Sequence, residues 1–366
     1  MGSVLFSPIT ALYENRSPGV VIIGSPGSGK TYAMQNIAAN CFLTNQRVIC
    51  LDGKNDMMAL KKLNPDIHIV DINKISPGGL NPFDVLKDID SSTLMSLIEC
   101  MTGTLTNKQT IAIQPIIQDF INNYKRFGHA PTFQQVADYL YASQDEDARM
   151  IGTLLKINED SKYGPLLFAE NKDHGSKLAI SDGSQIISLL GLDFPKTQDT
   201  TKLTAEQKFT SAIIYIITKK LYEILSIRAD LPTVLFLDEC HILFSNPSLS
   251  QVAEDFLVLG RSLKIATILA TQNITHVPED LSNQLSTKFI FKSDPKQAGE
   301  FLKRFDSSAA SGSALDQESI ISNIVNAGVG QCFMIDKLNR GGFLKFQSNL
   351  GITSNPFARK PKVEGA

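Results

Sequence analysis

Residues 24–31 read GSPGSGKT and follow the apolar run Val20–Ile23. The stretch matches the pattern G-x-x-x-x-G-K-[ST], whose required residues stand at Gly24, Gly29, Lys30 and Thr31. A loop of this type lies between a strand and a helix, which is expected here to begin near Tyr32, and its backbone cradles phosphate groups. The stretch therefore predicts the phosphate-binding loop of a P-loop NTPase.

Each part of this loop has a chemical purpose. Glycines let the backbone curl so that successive N–H groups point at phosphate oxygens at a helix N-terminus. Lys30 is expected to reach the β- and γ-phosphates, and the Thr31 hydroxyl to bind Mg²⁺. The glycine spacing, three residues and then two, reverses the dinucleotide fingerprint and disfavours a nicotinamide or flavin cofactor. The predicted nucleotide-binding residues are Gly24, Ser25, Pro26, Gly27, Ser28, Gly29, Lys30 and Thr31.

An acidic pair follows a second apolar run, Val234–Leu237, as ATP hydrolysis requires. Asp238 is expected to hold Mg²⁺ through water, and Glu239 to orient and deprotonate the attacking water as a general base. Alternatively, the two carboxylates only begin the loop after a buried strand. The phosphate loop upstream favours the catalytic interpretation. His241, which follows at once, is assigned no role.

Three further positions can complete this site. Gln272 follows the predicted strand Ile265–Ala270 and could sense the γ-phosphate if that strand neighbours the one ending at Asp238; otherwise it is a strand cap. Arg261 precedes the same strand and is either an arginine finger or a solvated arginine at a helix end. The triplet Asp52–Lys54 could contact nucleotide or the magnesium shell, although its spacing favours a turn.

The chain as a whole alternates strand-like and helix-like segments, which is typical of an α/β fold with a central, mostly parallel sheet flanked by helices. Several predicted strands are uninterrupted apolar runs, as strands covered on both faces are. A long helix over Ala205–Ser226 is expected to lie against the sheet. The predicted strands are Val20–Ile23, Arg47–Leu51, His68–Val70, Leu178–Ser181, Ile186–Leu190, Thr233–Leu237, Ile265–Ala270, Phe289–Lys292, Gln331–Ile335 and Gly342–Phe346.

Helical periodicity replaces this alternation between about residues 84 and 176. Apolar residues there recur at helical spacing, as in Ile113, Ile117 and Phe120. We therefore predict a first part of the ATPase core at 1–84, an all-helical insertion lobe at 85–176, a second part of the core at 177–353 and a flexible tail at 354–366.

Composition places the chain among ordinary globular proteins. Its 366 residues, 43% of them hydrophobic, suffice for a large core. No apolar stretch approaches the roughly 18 residues of a membrane-spanning helix. With 35 Lys+Arg against 37 Asp+Glu, no global field indicates nucleic acid or an anionic membrane as partner. The five cysteines lack a C-x-x-C pair, which fits reduced thiols in the cytoplasm.

These motifs together resemble the HerA/FtsK-type branch of RecA-like ATPases. Within that branch, the chain is similar to the C-terminal ATPase domain of the VirB-four (TraC-like) proteins, which energise type IV secretion and conjugation. The resemblance covers Val20 to Phe346. Cys240-His241 departs from the Ala-Trp often found after the acidic pair. The start Met1-Gly2-Ser3 looks like a cloning remnant, and we expect the family's large N-terminal domain to have been removed. The segments that carry the resemblance are GSPGSGKT, Leu51–Asp56, Gly79–Asp84, Gly164–Phe168, Ile187–Asp193, Phe236–Glu239, Gly260-Arg261 and Ala270–Gln272.

The resemblance implies ATP hydrolysis, with ATP and Mg²⁺ as cofactors, coupled to pilus biogenesis or substrate passage. It implies partners among the other type IV secretion components, self-association into a hexamer, and a place at the cytoplasmic face of the membrane. Non-specific DNA binding is a further expectation. The residues carried over are Lys30, Thr31, Asp238, Glu239, Gln272 and Arg261, with Arg304 and Arg340 as other candidates for the finger.

Two other functions remain open on the sequence. One is a DNA-pumping translocase or coupling protein of the same superfamily, which predicts DNA-stimulated turnover and salt-dependent binding. The other is a nucleotide-gated assembly module, in which ATP binding matters and turnover is incidental.

Overall fold

The computed structural model describes residues 6–124, 131–170, 175–195, 197, 199–228, 230–305 and 314–347, with the backbone alone at 314–316. The predicted flexible tail and the Met1-Gly2-Ser3 start lie outside these ranges. No helix within them is long and apolar enough to cross a membrane.

Nine strands of the described chain form one sheet in the order β3-β4-β2-β5-β6-β1-β7-β8-β9. The strands from β3 to β7 in this order are parallel, and β8 and β9 add an antiparallel edge. Their bounds are β1 Gly19–Ile23, β2 Arg47–Asp52, β3 His68–Asp71, β4 Gln185–Ser188, β5 Thr233–Leu237, β6 Ile265–Thr271, β7 Leu285–Phe291, β8 Gln331–Ile335 and β9 Gly341–Lys345.

One predicted strand, Leu178–Ser181, is wrong. The segment runs beside an irregular loop, where the Leu178 N–H donates to the Gly79 carbonyl at 3.0 Å, and it pairs with no strand. Nearby, the Ser181 N–H bonds to the Gln185 side chain. An apolar residue buried under a loop leaves the same trace in the sequence as one buried in a sheet, and here Leu178 is 7% exposed.

The described ranges contain twelve α-helices. They are α1 Thr10–Tyr13, α2 Lys30–Leu43, α3 Pro82–Val85, α4 Ser91–Thr102, α5 Asn107–Tyr124, α6 Phe133–Tyr141, α7 Glu146–Glu159, α8 Gly164–Phe168, α9 Ala205–Ile227, α10 Pro247–Val258, α11 Pro295–Phe305 and α12 Ala314–Val325. Short 3₁₀ helices span Asp56–Lys62, Ile72–Lys74, Thr200–Lys202, Cys240–Ser245, Ile274–His276 and Glu279–Gln284.

The sheet is covered on both faces, as predicted. Alternate residues of β1, β2, β5 and β6 join two separate apolar clusters, one on each side. Helix α2 covers one face with Ala33, Met34 and Ile37. Helices α9 and α10 cover the other face, which explains why thirteen residues of α9 are buried. Doubly covered strands are the physical reason for their uninterrupted apolar runs.

The described residues between 85 and 176 form helices and no strand, in line with the periodicity of the sequence. Helix α4 packs against α9 and α10 as well as against α5 and α7. The helical region and one face of the sheet therefore share a single apolar cluster. The division of the chain at residues 84 and 176 remains a prediction.

Candidate functional site

The candidate site lies where the parallel strands β1, β2, β5 and β6 end. In open α/β sheets, ligands bind in the crevice at the carboxyl ends of the strands. Four loops meet at this edge: the phosphate loop after β1, the segment from Gly53 after β2, the acidic pair after β5, and Gln272 after β6. The predicted nucleotide-binding and acidic residues are thus brought to one edge of the sheet.

The phosphate loop owes its shape to its glycines. Gly27 and Gly29 have φ angles of 74° and 106°, in the left-handed region that side chains disfavour. Gly29 precedes the first residue of α2, so the helix begins at Lys30, two residues before the predicted start at Tyr32. The backbone N–H groups at the start of this helix can donate hydrogen bonds to a bound anion.

Lys30 occupies the interior of its own loop. Its Nζ donates to the carbonyl oxygens of Gly24 at 2.6 Å and Ser25 at 3.1 Å. Burial lowers the pKa of Lys30, and the nearby carboxylates of Glu239 and Asp238 oppose this shift. The ammonium therefore faces the acidic pair across the site.

The antiparallel edge of the sheet braces this loop, a contact that the motif alone does not predict. The Gly330 N–H donates to the Ser28 carbonyl at 3.0 Å. A Cβ at Gly29 would lie 2.6 Å from the Gly330 nitrogen, closer than packing allows. Gly29 is thus required both by its φ angle and by the close approach of the turn before β8.

The acidic pair ends β5 at the centre of the site. The Glu239 N–H donates to Asp238 Oδ1 at 3.0 Å, and Glu239 has a left-handed φ of 52°. Burial, followed by the neighbouring Glu239 charge, raises the pKa of Asp238 to about 6. A cation bound beside Asp238 would favour the ionised carboxylate and lower its pKa again.

Glu239 is contacted by three other side chains of the site, and it is 6% exposed. Lys54 forms an ion pair with its Oε1, to which Gln272 Nε2 also donates at 3.0 Å. His241 Nδ1 lies 3.4 Å from the other oxygen, Oε2. Burial alone would raise the pKa of Glu239, but the contacts with His241, Lys54 and Gln272 hold it well below its usual range.

The placement of Gln272 agrees with the sequence analysis, because β5 and β6 are parallel neighbours and the amide reaches Glu239. The ion pair of Lys54 with Glu239 was not predicted. Asp52 forms the predicted turn, since its carboxylate accepts hydrogen bonds from the N–H groups of Lys54, Asp56 and Met57. The same turn delivers the Lys54 ammonium to Glu239. Only the strand order, with β2 beside β5, could have revealed this contact.

His241 also takes part in a small polar network. Its ring centroid lies 5.1 Å from that of His276, whose Nδ1 is 2.8 Å from Thr271 Oγ1. Burial and the neighbouring His241 lower the pKa of His276. This network therefore lies on the Oε2 side of the Glu239 carboxylate, whereas Lys54 pairs with Oε1.

The candidate arginines lie away from this centre. Arg261 is exposed, precedes β6, and donates to the Asn15 carbonyl at 3.3 Å. The seven residues of β6 span about 23 Å, so Arg261 lies at the opposite edge of the sheet from its own phosphate loop. Arg304 donates to three carbonyls of the loop after β6 and to Ser282. Arg340 is exposed and pairs with Asp336.

The residues of the site fit a nucleotide with Mg²⁺. The Ser28 hydroxyl is buried and has no hydrogen-bond partner in the described chain, and Glu239 Oε2, also buried, has His241 Nδ1 at 3.4 Å but no hydrogen bond of ordinary geometry. Thr31 and Asp238 supply the oxygen donors that Mg²⁺ prefers. Among described residues, no group of three His, Cys, Asp or Glu side chains could hold a metal ion. Phosphate oxygens and water would therefore complete the coordination.

The raised pKa of Asp238 leads to a testable effect on stability. Between the ordinary pKa of 3.8 and about 6, the folded chain binds more protons than the unfolded chain. The free energy of unfolding consequently falls as pH rises through this window. Asparagine cannot ionise, so Asp238→Asn removes this loss of stability at high pH. We expect the substitution to raise the free energy of unfolding by about 1–3 kcal/mol at about pH 8 and to leave it unchanged below about pH 4.

Denaturant unfolding at the two pH values, without nucleotide and with a chelator, measures this gain. Asp66→Asn, a change at an exposed aspartate outside the site, is the matched control. A gain of equal size at both pH values would contradict the prediction, because a protonated Asp238 and an asparagine carry the same charge.

A family model described as AAA-like domain matches residues 10–349. No curated protein matches the sequence significantly. Among solved structures, VirB4 of Thermoanaerobacter pseudethanolicus has a TM-score of 0.70 at 16% identity, over 90% of this chain and 89% of that chain.

The bacterial conjugative coupling protein TrwB is similar as well. Its unbound form has a TM-score of 0.59 at 12% identity, over 92% of this chain and 86% of that chain. Its complex with ADP and Mg²⁺ has a TM-score of 0.59 at 12% identity, over 94% of this chain and 89% of that chain. These likenesses confirm the predicted RecA-like P-loop fold, and the resemblance to VirB-four proteins holds at the level of the fold.

Proposed function

The chain belongs to the AAA-like domain family, and from this premise we propose that it hydrolyses ATP to energise a type IV secretion or conjugation apparatus. One observation carries the proposal: the phosphate loop, Asp238, Glu239 and Gln272 converge at the carboxyl ends of β1, β5 and β6. The likeness to VirB4, with the higher TM-score of the two related proteins, supports the secretion context.

The proposed chemistry uses this chain's residues as follows. Lys30 exchanges the carbonyls of Gly24 and Ser25 for the β- and γ-phosphates. Thr31 and Asp238 would hold Mg²⁺, which would neutralise charge on the phosphates. Glu239 accepts a proton from the water whose oxygen attacks the γ-phosphorus, while the bond from the γ-phosphorus to the bridging oxygen breaks and ADP leaves. Gln272 donates to the Glu239 carboxylate and keeps that carboxylate oriented.

We also propose that the chain acts in a ring, with a hexamer as its form, on the cytoplasmic side of the membrane. Other components of the secretion apparatus would hold it there. The exposed position of Arg261, far from its own phosphate loop, supports sharing of sites between subunits.

A coupling-protein function is the second candidate, favoured by the coverage of 94% of this chain in the TrwB comparison. One experiment tests both functions, the secretion ATPase and the coupling protein. It measures ATP turnover at several protein concentrations, with and without single- and double-stranded DNA. We expect turnover without DNA. Turnover that appears only with DNA, and falls with salt, would favour the coupling protein. An absence of turnover in every condition would overturn the proposal.

Lys30→Ala is expected to weaken binding of both MgATP and MgADP. It removes a charge-assisted hydrogen bond of about 1.5–3 kcal/mol, which corresponds to a loss of affinity of about 10- to 100-fold. Calorimetric titration measures the loss. Lys62→Ala, an exposed lysine of the 3₁₀ helix Asp56–Lys62, should bind as the wild type does. Unchanged affinity in a folded Lys30→Ala protein would show that the loop does not hold phosphate through this residue.

A further inference from the structure

A second lysine stands in the site, at a position that the phosphate-loop motif does not include. Lys54 follows β2 and forms an ion pair with Glu239 Oε1, the oxygen that also accepts from Gln272. Its side chain is 46% exposed, whereas that of Glu239 is 8% exposed. The ammonium therefore lies between the buried general base and open solvent, where a ligand would enter.

The position of Lys54 is fixed by its backbone. The carboxylate of the fully buried Asp52 accepts hydrogen bonds from the N–H groups of Lys54 at 3.1 Å, Asp56 at 3.2 Å and Met57 at 2.8 Å. Asn55 has a left-handed φ of 61° and accepts a hydrogen bond of 2.6 Å from Ser188 on β4. This rigid turn aims the side chain at the acidic pair.

Lys54 and Lys30 share the same electrostatic environment. Each ammonium is stabilised by the charges of Asp238 and Glu239, and Lys54 in turn disfavours the charge of Lys30. Two ammonium groups and two carboxylates thus surround one space at the end of β5. Lys30 reaches that space from the phosphate loop, and Lys54 reaches it from the side of β2.

A carboxylate that is paired with an ammonium is a poor acceptor for the proton of water. In the ligand-free arrangement, Glu239 is neutralised by Lys54 and cannot serve freely as the base. A phosphate group that enters between Lys30 and Lys54 would offer Lys54 a more highly charged partner than a single carboxylate.

We propose that Lys54 is a ligand of the γ-phosphate: when a nucleoside triphosphate binds, the ammonium leaves Glu239 for the γ-phosphate and frees the carboxylate for the attacking water. The inference rests on the proposed function. It assigns Lys54 to the one phosphate that distinguishes ATP from ADP, whereas Lys30 contacts the β-phosphate that both nucleotides carry.

The test compares binding of a non-hydrolysable ATP analogue with binding of ADP, each with Mg²⁺. Lys54→Ala should weaken the ATP analogue by about 10- to 100-fold, the worth of one charge-assisted hydrogen bond. Its affinity for ADP should stay within about threefold, and Lys54→Arg should restore most of the loss for the analogue. Lys62→Ala is the control.

The outcomes distinguish failure of the role proposed for Lys54 from failure of the proposed ATPase function. A wild type that binds neither nucleotide would overturn the proposed function and the inference together. A wild type that binds both, with equal weakening or no weakening of the two nucleotides in Lys54→Ala, would overturn the inference alone. A merely structural Lys54 would not change the ratio of the two affinities.

A double-mutant cycle tests the exchange of partners itself. Glu239→Gln removes repulsion of the γ-phosphate and also releases Lys54, so it should raise affinity for the ATP analogue. In the Lys54→Ala background only the repulsion is removed, and the rise should be several-fold smaller. Equal rises in the two backgrounds would show that Lys54 does not move between Glu239 and the phosphate.

Discussion

Glu239→Gln should lower ATP turnover by about 10²–10⁴-fold, the usual contribution of a general base, while MgATP still binds. Glutamine has nearly the same shape as glutamate and can keep the contacts with Gln272 and His241. It cannot take a proton from water at neutral pH. Because Lys30 and Thr31 hold the nucleotide, the loss should fall on the chemical step, and MgATP should bind at least as tightly as to the wild type.

Steady-state turnover and calorimetric binding of MgATP, measured on the same preparation, separate the two effects. Glu318→Gln, an exposed glutamate of α12, provides the control for loss of a charge. Turnover close to that of the wild type would place the base elsewhere. If a dead Glu239→Gln protein still supported its partners' function, the chain would be an assembly module that is gated by nucleotide.

Arg261→Ala should abolish turnover, by about 10³–10⁵-fold, if its guanidinium meets the γ-phosphate of a neighbouring subunit. Within its own chain the arginine cannot do so, because it lies at the opposite edge of the sheet from the phosphate loop. Its hydrogen bond to the Asn15 carbonyl is exposed, so removal should hardly change folding stability. A helix-end arginine with only a dipole interaction would contribute about 0.3–1 kcal/mol, far less than the expected loss in rate.

Two measurements of ATP turnover test whether Arg261 acts between subunits. Specific activity of the wild type should rise with protein concentration, and mixtures of Arg261→Ala with Lys30→Ala chains should recover part of the activity. Some interfaces in such mixtures pair an intact loop with an intact arginine. Arg340→Ala, at another exposed arginine, should remain active. A mixture without activity, and turnover per subunit that does not depend on concentration, would exclude Arg261 as a finger acting between subunits.

Local patterns were enough to predict much of this molecule. The phosphate loop and the acidic pair are each contiguous, and their chemistry depends on neighbours in sequence. Nine of the ten predicted strands exist. The central strands β1, β2, β5 and β6 are buried at every residue, and strands covered on both faces need such continuous apolar runs. The error at Leu178–Ser181 has the converse cause, since burial under a loop gives the same apolar signal without a backbone partner.

Contacts between residues far apart in the sequence do not follow from local patterns. The ion pair of Lys54 with Glu239 joins residues 185 positions apart and depends on β2 lying beside β5. Arg304 illustrates the same limit: as a candidate finger it looked like Arg261, but it fastens the loop after β6 through the carbonyls of Ile274, Val277 and Pro278. Strand order decides the first case and the packing of α11 on the loop after β6 decides the second, and a single sequence reveals neither.

The brace between Ser28 and Gly330 extends beyond the site. The Gly330 carbonyl accepts from the Phe346 N–H at 2.9 Å, so two hydrogen bonds link the phosphate loop to the residue that follows β9. The phosphate loop and the outer hairpin β8–β9 are therefore joined by a continuous path of hydrogen bonds, through which any shift of the loop would reach the outer margin of the sheet.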